Sequence, residues 1–379
     1  MKIEQQYWTS GAGWQKESAA SVDGSASLVL IFGAGHVLGD AARMEEVRAR
    51  YPGAPVVGCS TSGEICGIRV RDDSLVATAV RFEHTELKLV HAIIGADGDS
   101  LEAGKRLAQA LPPEQLVHVL VFSDGLKVNG TDLARGLREN LPENVAVTGG
   151  LAGDGANFKH TLVCADAAPA EGTIAALGFY GDRLKVGYGS LGGWDSFGAE
   201  RLITRSNGNV LYELDGRSAL ALYKEYLGEH AAGLPATALL FPLALRSGEG
   251  EYSLVRTVLS VNEDDQSMTF AGDMPEGSYA RLMKANFDRL IDGAAGAAHA
   301  GYETLGSVNP ELALLISCVG RKLVLKQRIE EEVESVRNVL GPDTALAGFY
   351  SYGEICPHGS ITKCELHNQT MTITTFSER

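Results

Sequence analysis

The chain has 379 residues, 45% of them apolar and 21% charged, with a formal net charge of −15 and no low-complexity tract. That length allows two domains with proper cores, and the scatter of Lys and Arg argues against a nucleic-acid groove. The opening "MKIEQQYWTSGAGWQ" lacks the apolar core of a signal peptide and no stretch approaches a membrane span, so a cytoplasmic protein without membrane insertion is expected, its six cysteines reduced.

In chain order, "SLVLIFG", "APVVGCS", "LVATAVRF", "LKLVHAII" and "VHVLVFSDG" read as strands, with helices expected from Asp40, Ser100 and Asn129. "GTIAALGFYG" and "LKVGYGSLGGW" continue the strand pattern. Turn residues accumulate between about residues 193 and 215, which divides the chain into an N-terminal region 1–192 and a C-terminal region 193–379. Beyond it, "TALLFPLAL", "YSLVRTVLSV", "SMTFAGDM", "LALLISCVG", "ALAGFYSYG" and "TMTITTF" read as strands. A helix is expected from Ser278, with Met283, Phe287, Leu290 and Ile291 on one face. A second places Ile329, Val333, Val336 and Leu340 on a stripe that Gly341 ends. Several strands follow one another with no helix between, so the fold class is mixed α/β with partly antiparallel sheets.

One repeat stands out. Gly-Glu-Ile-Cys occurs at residues 63–66 and again at 353–356, and counting back aligns Gly58 with Gly348 and Thr61 with Ser351. Both copies follow a short apolar run. The pairing implies two structurally related halves packed together, with Glu64 and Glu354 in equivalent turns where each accepts N–H bonds from the glycine-rich backbone.

Motifs for common chemistries are missing. Gly33 and Gly35 are followed by Gly39, one position late for a dinucleotide fingerprint. There is no phosphate loop, no Gly-x-Ser-x-Gly elbow and no Cys-x-x-Cys pair. Cys59, Cys66, Cys164 and Cys318 lie in or beside apolar runs and read as small buried hydrophobes. "FSDGLKVNG", with Ser123, Asp124 and Asn129, and "VTGGLAGDGANF", with Asp154 among four glycines, end buried strands. Such loops either turn backbone N–H groups toward a ligand or pack as tight turns at an interface. His118 reads as a core residue, whereas His36, His160, His358 and His367 lie beside turn signals. His358 follows Cys356 and Pro357, and the fixed proline backbone makes a rigid loop whose imidazole suits a metal or haem iron, though a lone loop histidine is more often a surface residue.

Taken with "VVGCSTSGEI" from Val56, "VFSDG" from Val121, "VTGGLAGDG" from Val147, "GFYSYGEI" from Gly348 and "HNQTMTITTF" from His367, the chain resembles the FIST-domain sensory proteins, with FIST N and FIST C regions over nearly its whole length. The resemblance implies a ligand sensor of bacterial signal transduction and not an enzyme. It extends to the nitric oxide-sensing, haem-binding branch (NosP), which implies haem b as cofactor and a sensor histidine kinase as partner, with a homodimer as a compatible assembly. His358 is the expected axial ligand, with His367, His160 and the Cys356 thiolate behind it. The alternative is a haem-free module for an amino-acid-like molecule, its pocket lined by Ser123, Asp124, Asp154, Glu64 and Glu354. An enzyme using Asp124 or Glu354 as general base is a third reading.

Overall fold

Leu28–Gly33 and Val56–Ser60 are buried along their whole length, which is why they read as unbroken apolar runs rather than alternating ones. They form a parallel pair, and this pair is the unit from which the molecule is built. The computed structural model describes residues 1–18, 21–22, 25–95, 98–246, 254–357 and 364–379.

The first unit comprises β1 (Lys2–Thr9), β2 (Leu28–Gly33), helix α1 (Ala41–Arg50), β3 (Val56–Ser60), the short β4 (Glu64–Cys66) and β5 (Ser74–Arg81). The second repeats the order and adds a helix after its first strand, with β6 (Glu86–Ile93), α2 (Ser100–Ala110), β7 (Leu116–Ser123), α3 (Gly130–Asn140), β8 (Ala146–Leu151), β9 (Val163–Ala165) and β10 (Thr173–Tyr180). The third has β11 (Leu184–Leu191), α4 (Phe287–Thr304), β12 (Leu312–Cys318), α5 (Ile329–Leu340), β13 (Ala345–Ser351), β14 (Gly353–Cys356) and β15 (Met371–Glu378).

Each unit makes a sheet with one parallel pair, β2–β3, β7–β8 or β12–β13, and antiparallel neighbours. The short fourth strand never joins its own sheet. β4 pairs with β13 of the third unit, β14 with β8 of the second, and β9 with β3 of the first. The exchange is cyclic and closes three sheets around one axis. The expected mixed α/β class and the packing of related regions hold, and the repetition seen at two places in sequence extends to a third.

Register shows how close the repetition is. Gly58 lies opposite Ile31, Gly149 opposite Val121 and Gly348 opposite Leu315. A Cβ on any of the three would overlap the carbonyl oxygen of that partner, so each glycine answers the same close approach of two backbones. On the axis the rings of Phe32, Phe122 and Phe349, one per unit, meet at centroid distances of 5.5, 4.8 and 6.0 Å. They anchor a core drawn from the inner faces of all three sheets. The outer faces are covered by the helices, Met44 and Val47 on the first, Leu107, Leu133 and Leu137 on the second, Ala294, Ala297, Val333 and Val336 on the third.

Asp40 and Asn129 cap α1 and α3 as expected, and Gly341 ends α5. The helix expected from Ser278 starts later: Tyr279–Lys284 is a strand, and Asn286 caps α4. Its apolar residues follow a helical spacing across a strand–helix junction, and pairing with Leu243–Arg246 and Asp195–Asn207 decides the strand. These strands belong to a separate lobe inserted between β11 and α4. It holds an eight-stranded antiparallel sheet, the helix Ala219–Leu227, and its own core around Leu211, Tyr223, Met268 and Phe270. Most of its strands are short, and the longest, Asp195–Asn207, has a single buried residue, which is why the sequence pattern loosens there.

Candidate functional site

The parallel pairs of the three units end at the same end of the axis, where their loops bind one another in a ring. Ser62 N donates to Tyr350 O at 2.8 Å, Tyr352 N to Leu151 O at 3.1 Å, and Gly153 N to Ser60 O at 2.9 Å. In α/β sheets the carboxyl ends of parallel strands are where ligands bind. Here each unit has such a mouth, and the three have diverged.

The first mouth is a cavity of about 620 Å³. Residues 34–36, after β2, form one wall and residues 61–64, after β3, another; Asp72 and Asp73 close the side. The loop 154–160 arches over from the second unit, contributing Asp154, Gly155, Asn157 and His160. The described lining carries four carboxylates, two imidazoles and no Lys or Arg.

Glu64 forms the floor. Thr61 Oγ1 donates to Oε1 at 2.5 Å, and Ser74 donates its hydroxyl to Oε2 at 2.6 Å and its N–H at 3.3 Å. Burial pushes this carboxyl up to about 7 against the pull of the two hydroxyls. Lys322, reaching across from the third unit, pairs with Asp72 and donates to Ser62 O at 2.7 Å.

Glu354 repeats the arrangement. Ser351 Oγ donates to Oε1 at 2.6 Å, and Thr370 donates its hydroxyl at 3.0 Å and N–H at 3.3 Å to Oε2. Burial pushes it up to about 8. Glu64 and Glu354 thus do occupy equivalent turns, but hydroxyls rather than a glycine-rich backbone supply most of their bonds. Glu64 faces a cavity; Glu354 is fully buried.

In the second unit Gly155 stands where the other two have glutamate, and Asp154, one residue earlier, turns outward. It accepts N–H bonds from Phe158 and Lys159 at 2.9 Å and from His160 at 3.0 Å, and the Tyr352 hydroxyl donates to it. Burial works to raise its pKa, and the Tyr352 hydroxyl with the three N–H donors outweighs it, so the carboxyl lies below its ordinary value. A charged Asp154 therefore both shapes the loop and presents negative charge to the cavity.

The third mouth is filled by protein. Arg321 and Glu332, both fully buried, pair at 2.8 Å, and Tyr350 and Ser317 donate to the other Glu332 oxygen.

Of the residues singled out in sequence, the structure brings Glu64, Asp154 and His160 together around the first mouth. Ser123 and Asp124 are buried at the end of β7, beneath the second mouth, the cavity that residues 125–130 line. Asp124 Oδ1 accepts from Leu126 N at 2.8 Å and Lys127 N at 2.7 Å, and Oδ2 from Gly172 N at 2.7 Å, a turn-holding set of bonds. His160 is exposed and contacts Glu171 at 2.9 Å. His367 is buried with Nε2 3.1 Å from Cys356 O, and burial pushes the Cys356 thiol up. His358 lies outside the described residues. His36, Asp72, Asp73 and Asn157 also line the cavity and were not expected there. The turn after "LVLIFG" marked His36, but nothing local ties it to Asp154, 118 positions on.

Haem asks for a flat apolar slot with an imidazole or thiolate aimed into it. The described candidates do not make one: His367 and Cys356 are enclosed in their own hairpin, and His160 stands at the rim of a cavity whose carboxylates would face the haem propionates. Among the described residues no group of three or more His, Cys, Asp and Glu side chains could hold a metal ion, and no helix is long and apolar enough to cross a membrane.

Comparison with known proteins agrees with the motifs. Residues 27–217 match the FIST N domain and residues 219–357 the FIST C domain. No curated protein matches. Among solved structures, the crystal structure of a cyanuric acid hydrolase from A. caulinodans aligns over 78% of this chain and 99% of that one, at 11% identity and a TM-score of 0.19, a level of likeness that carries no argument. Two adjoining domain matches that together span most of the sequence leave one conclusion: the chain belongs to the FIST family, whose domains are small-ligand sensors of signal transduction.

Proposed function

We propose that the first mouth is the sensory site and that it binds, without transforming, a small molecule bearing an ammonium group, of the amino-acid kind. One observation carries this reading: a cavity at strand carboxyl ends, walled by two units, whose described lining holds four carboxylates, of which only Asp72 is paired with a lysine, Lys322, and no Lys or Arg of its own. An ammonium there gains charge-assisted hydrogen bonds that an anion or a neutral apolar molecule does not. Asp154 supplies a fixed negative charge. Glu64, poised near neutral pH, supplies one that appears on demand, since a bound cation favours its ionised form and expels its proton.

The test is a thermal-shift and calorimetric panel of amino acids and short amines on the purified protein. At least one compound should raise the melting temperature, because a ligand bound only by the folded state stabilises it. Heats measured near pH 7 in buffers of different ionisation enthalpy should reveal proton release. Asp73→Asn should weaken binding about tenfold, the order expected for one charge-assisted bond of about 1.5 kcal/mol. A panel with no shift would refute the reading.

The finer expectation from the resemblance, a haem-bound nitric oxide sensor acting on a histidine kinase, rests on His358 and keeps its own test. Protein from haem-supplied cells should then show a Soret band that moves with nitric oxide, and should alter the autophosphorylation of its kinase. Colourless protein that hemin does not reconstitute would retire it.

A further inference from the structure

The second mouth differs from the first in its lining, which holds no carboxylate among the described residues. It is a cavity of about 330 Å³ between residues 125–130 and Leu151 of the core, Phe158 and Tyr352 at its side, and Asn209, Leu259 and residues 270–272 of the inserted lobe. Six large hydrophobic side chains are exposed among the described residues, and three of them, Leu126, Phe158 and Leu259, line this one cavity. Exposed apolar groups scattered singly need no explanation, but their convergence on a concave surface does.

Phe158 is the informative member. Its ring stacks on Tyr352 at a centroid distance of 4.5 Å and an interplanar angle of 12°, yet the residue stays 41% exposed. Its φ of 52° is a left-handed conformation that a bulky residue rarely adopts. The bond from its N–H to Asp154 holds it there. A strained backbone that keeps an aromatic ring in solvent is a feature of binding sites. The next layer of such a stack is another flat ring.

We infer that the second mouth is a binding site for a small flat aromatic molecule of one or two rings, stacked against Phe158 and covered by Leu259 of the lobe. The volume suits this class, since ligand pockets begin near about 300 Å³, and Lys127, Asn129 and Asn209 offer polar groups to the ring's edge. The walls come from both core and lobe, and a volume of about 330 Å³ is that of a small molecule. The site is independent of the proposal for the first mouth.

The test uses the whole protein and two probes that carry no ammonium group, indole and 2-naphthol, followed by calorimetry and saturation-transfer NMR. At least one probe should bind with a Kd below about 1 mM. Phe158→Ala and Leu259→Asn, on opposite walls, should each weaken it tenfold or more while circular dichroism shows the fold intact. Asp73→Asn, at the first mouth, should leave it unchanged. Should Phe158→Ala disturb its loop, the lobe variant still decides. The proposal is overturned if no probe binds, or if binding survives both substitutions; loss in Leu259→Asn with a native spectrum supports it.

Discussion

Glu64 and Glu354 are the residues whose chemistry is least ordinary. Both sit near 7 to 8 because burial penalises their charged forms. A carboxyl whose folded pKa lies above its unfolded value gives stability that is complete below the unfolded pKa and is lost as pH rises through the folded one. His118 acts oppositely. Burial depresses it to about 3, so its contribution is complete above the unfolded value of 6.5 and is lost as pH falls. Below pH 6.5 the two effects compete; from about pH 6.5 to 8 the glutamates act without it. Stability to urea should fall by about 1 to 3 kcal/mol over that window, at about 1.4 kcal/mol per unit for each group. Glu354→Gln should flatten the slope while costing about 1 kcal/mol at low pH, since the amide cannot accept all three bonds. A variant as steep as the native protein would show that Glu354 does not titrate there. In sequence these residues were visible as a repeated tetrapeptide; their protonation was not, because it depends on burial that several distant strands create.

At the scale of elements, the parallel pair closed by a glycine recurs three times. Gly348→Ala pushes a Cβ onto the Leu315 carbonyl and forces β12 and β13 apart. Neither backbone can yield without disturbing a packed sheet, so a loss of about 3 kcal/mol is expected in urea denaturation. Gly11→Ala, where nothing lies within 4 Å, should stay within about 0.5 kcal/mol. The pairing of Gly58 with Gly348 was legible because a Gly-Glu-Ile-Cys copy follows each. Gly149 was not recognised as their third partner, because Gly155 and Ala152 replace the glutamate and hydroxyl that mark the other copies. Element identity was mostly legible. Buried strands are continuous apolar runs, and α1, α3 and α5 carry their own caps or stops. The misplaced start of α4 shows the limit: an apolar spacing of three and four residues suits a helix, and only the pairing of Tyr279–Lys284 with two lobe strands makes it otherwise.

Across the whole molecule, the loop 154–160 is shared. Asp154, Asn157 and His160 face the first mouth, Phe158 faces the second, and Tyr352 joins them by donating to Asp154 while stacking on Phe158. Ligands touching opposite sides of one short loop bias the same conformations, and linkage makes the effect reciprocal. An amine bound at the first mouth and an aromatic probe at the second should shift each other's Kd by an equal factor of about 5 or more. Tyr352→Phe, which keeps the ring and removes the hydroxyl, should bring that factor close to 1 in paired calorimetric titrations. Unequal factors, or a factor unchanged by the variant, would refute the shared loop as the link.

The sequence by itself determined most of the core strands, most helices, two of the three glycines that let backbones touch, and the family, because each depends on the pattern of a few adjacent residues. The tertiary structure alone decided which sheet each short fourth strand joins. β4, β9 and β14 are three or four residues long, and their partners lie 104 to 285 positions away, chosen by which sheet edge stands open. That exchange brings Glu64 of one unit beside Asp154 of another and leaves one mouth acidic, one aromatic and one filled. Local propensity carries no record of edge pairing over such distances, so the site appears only when the three sheets close.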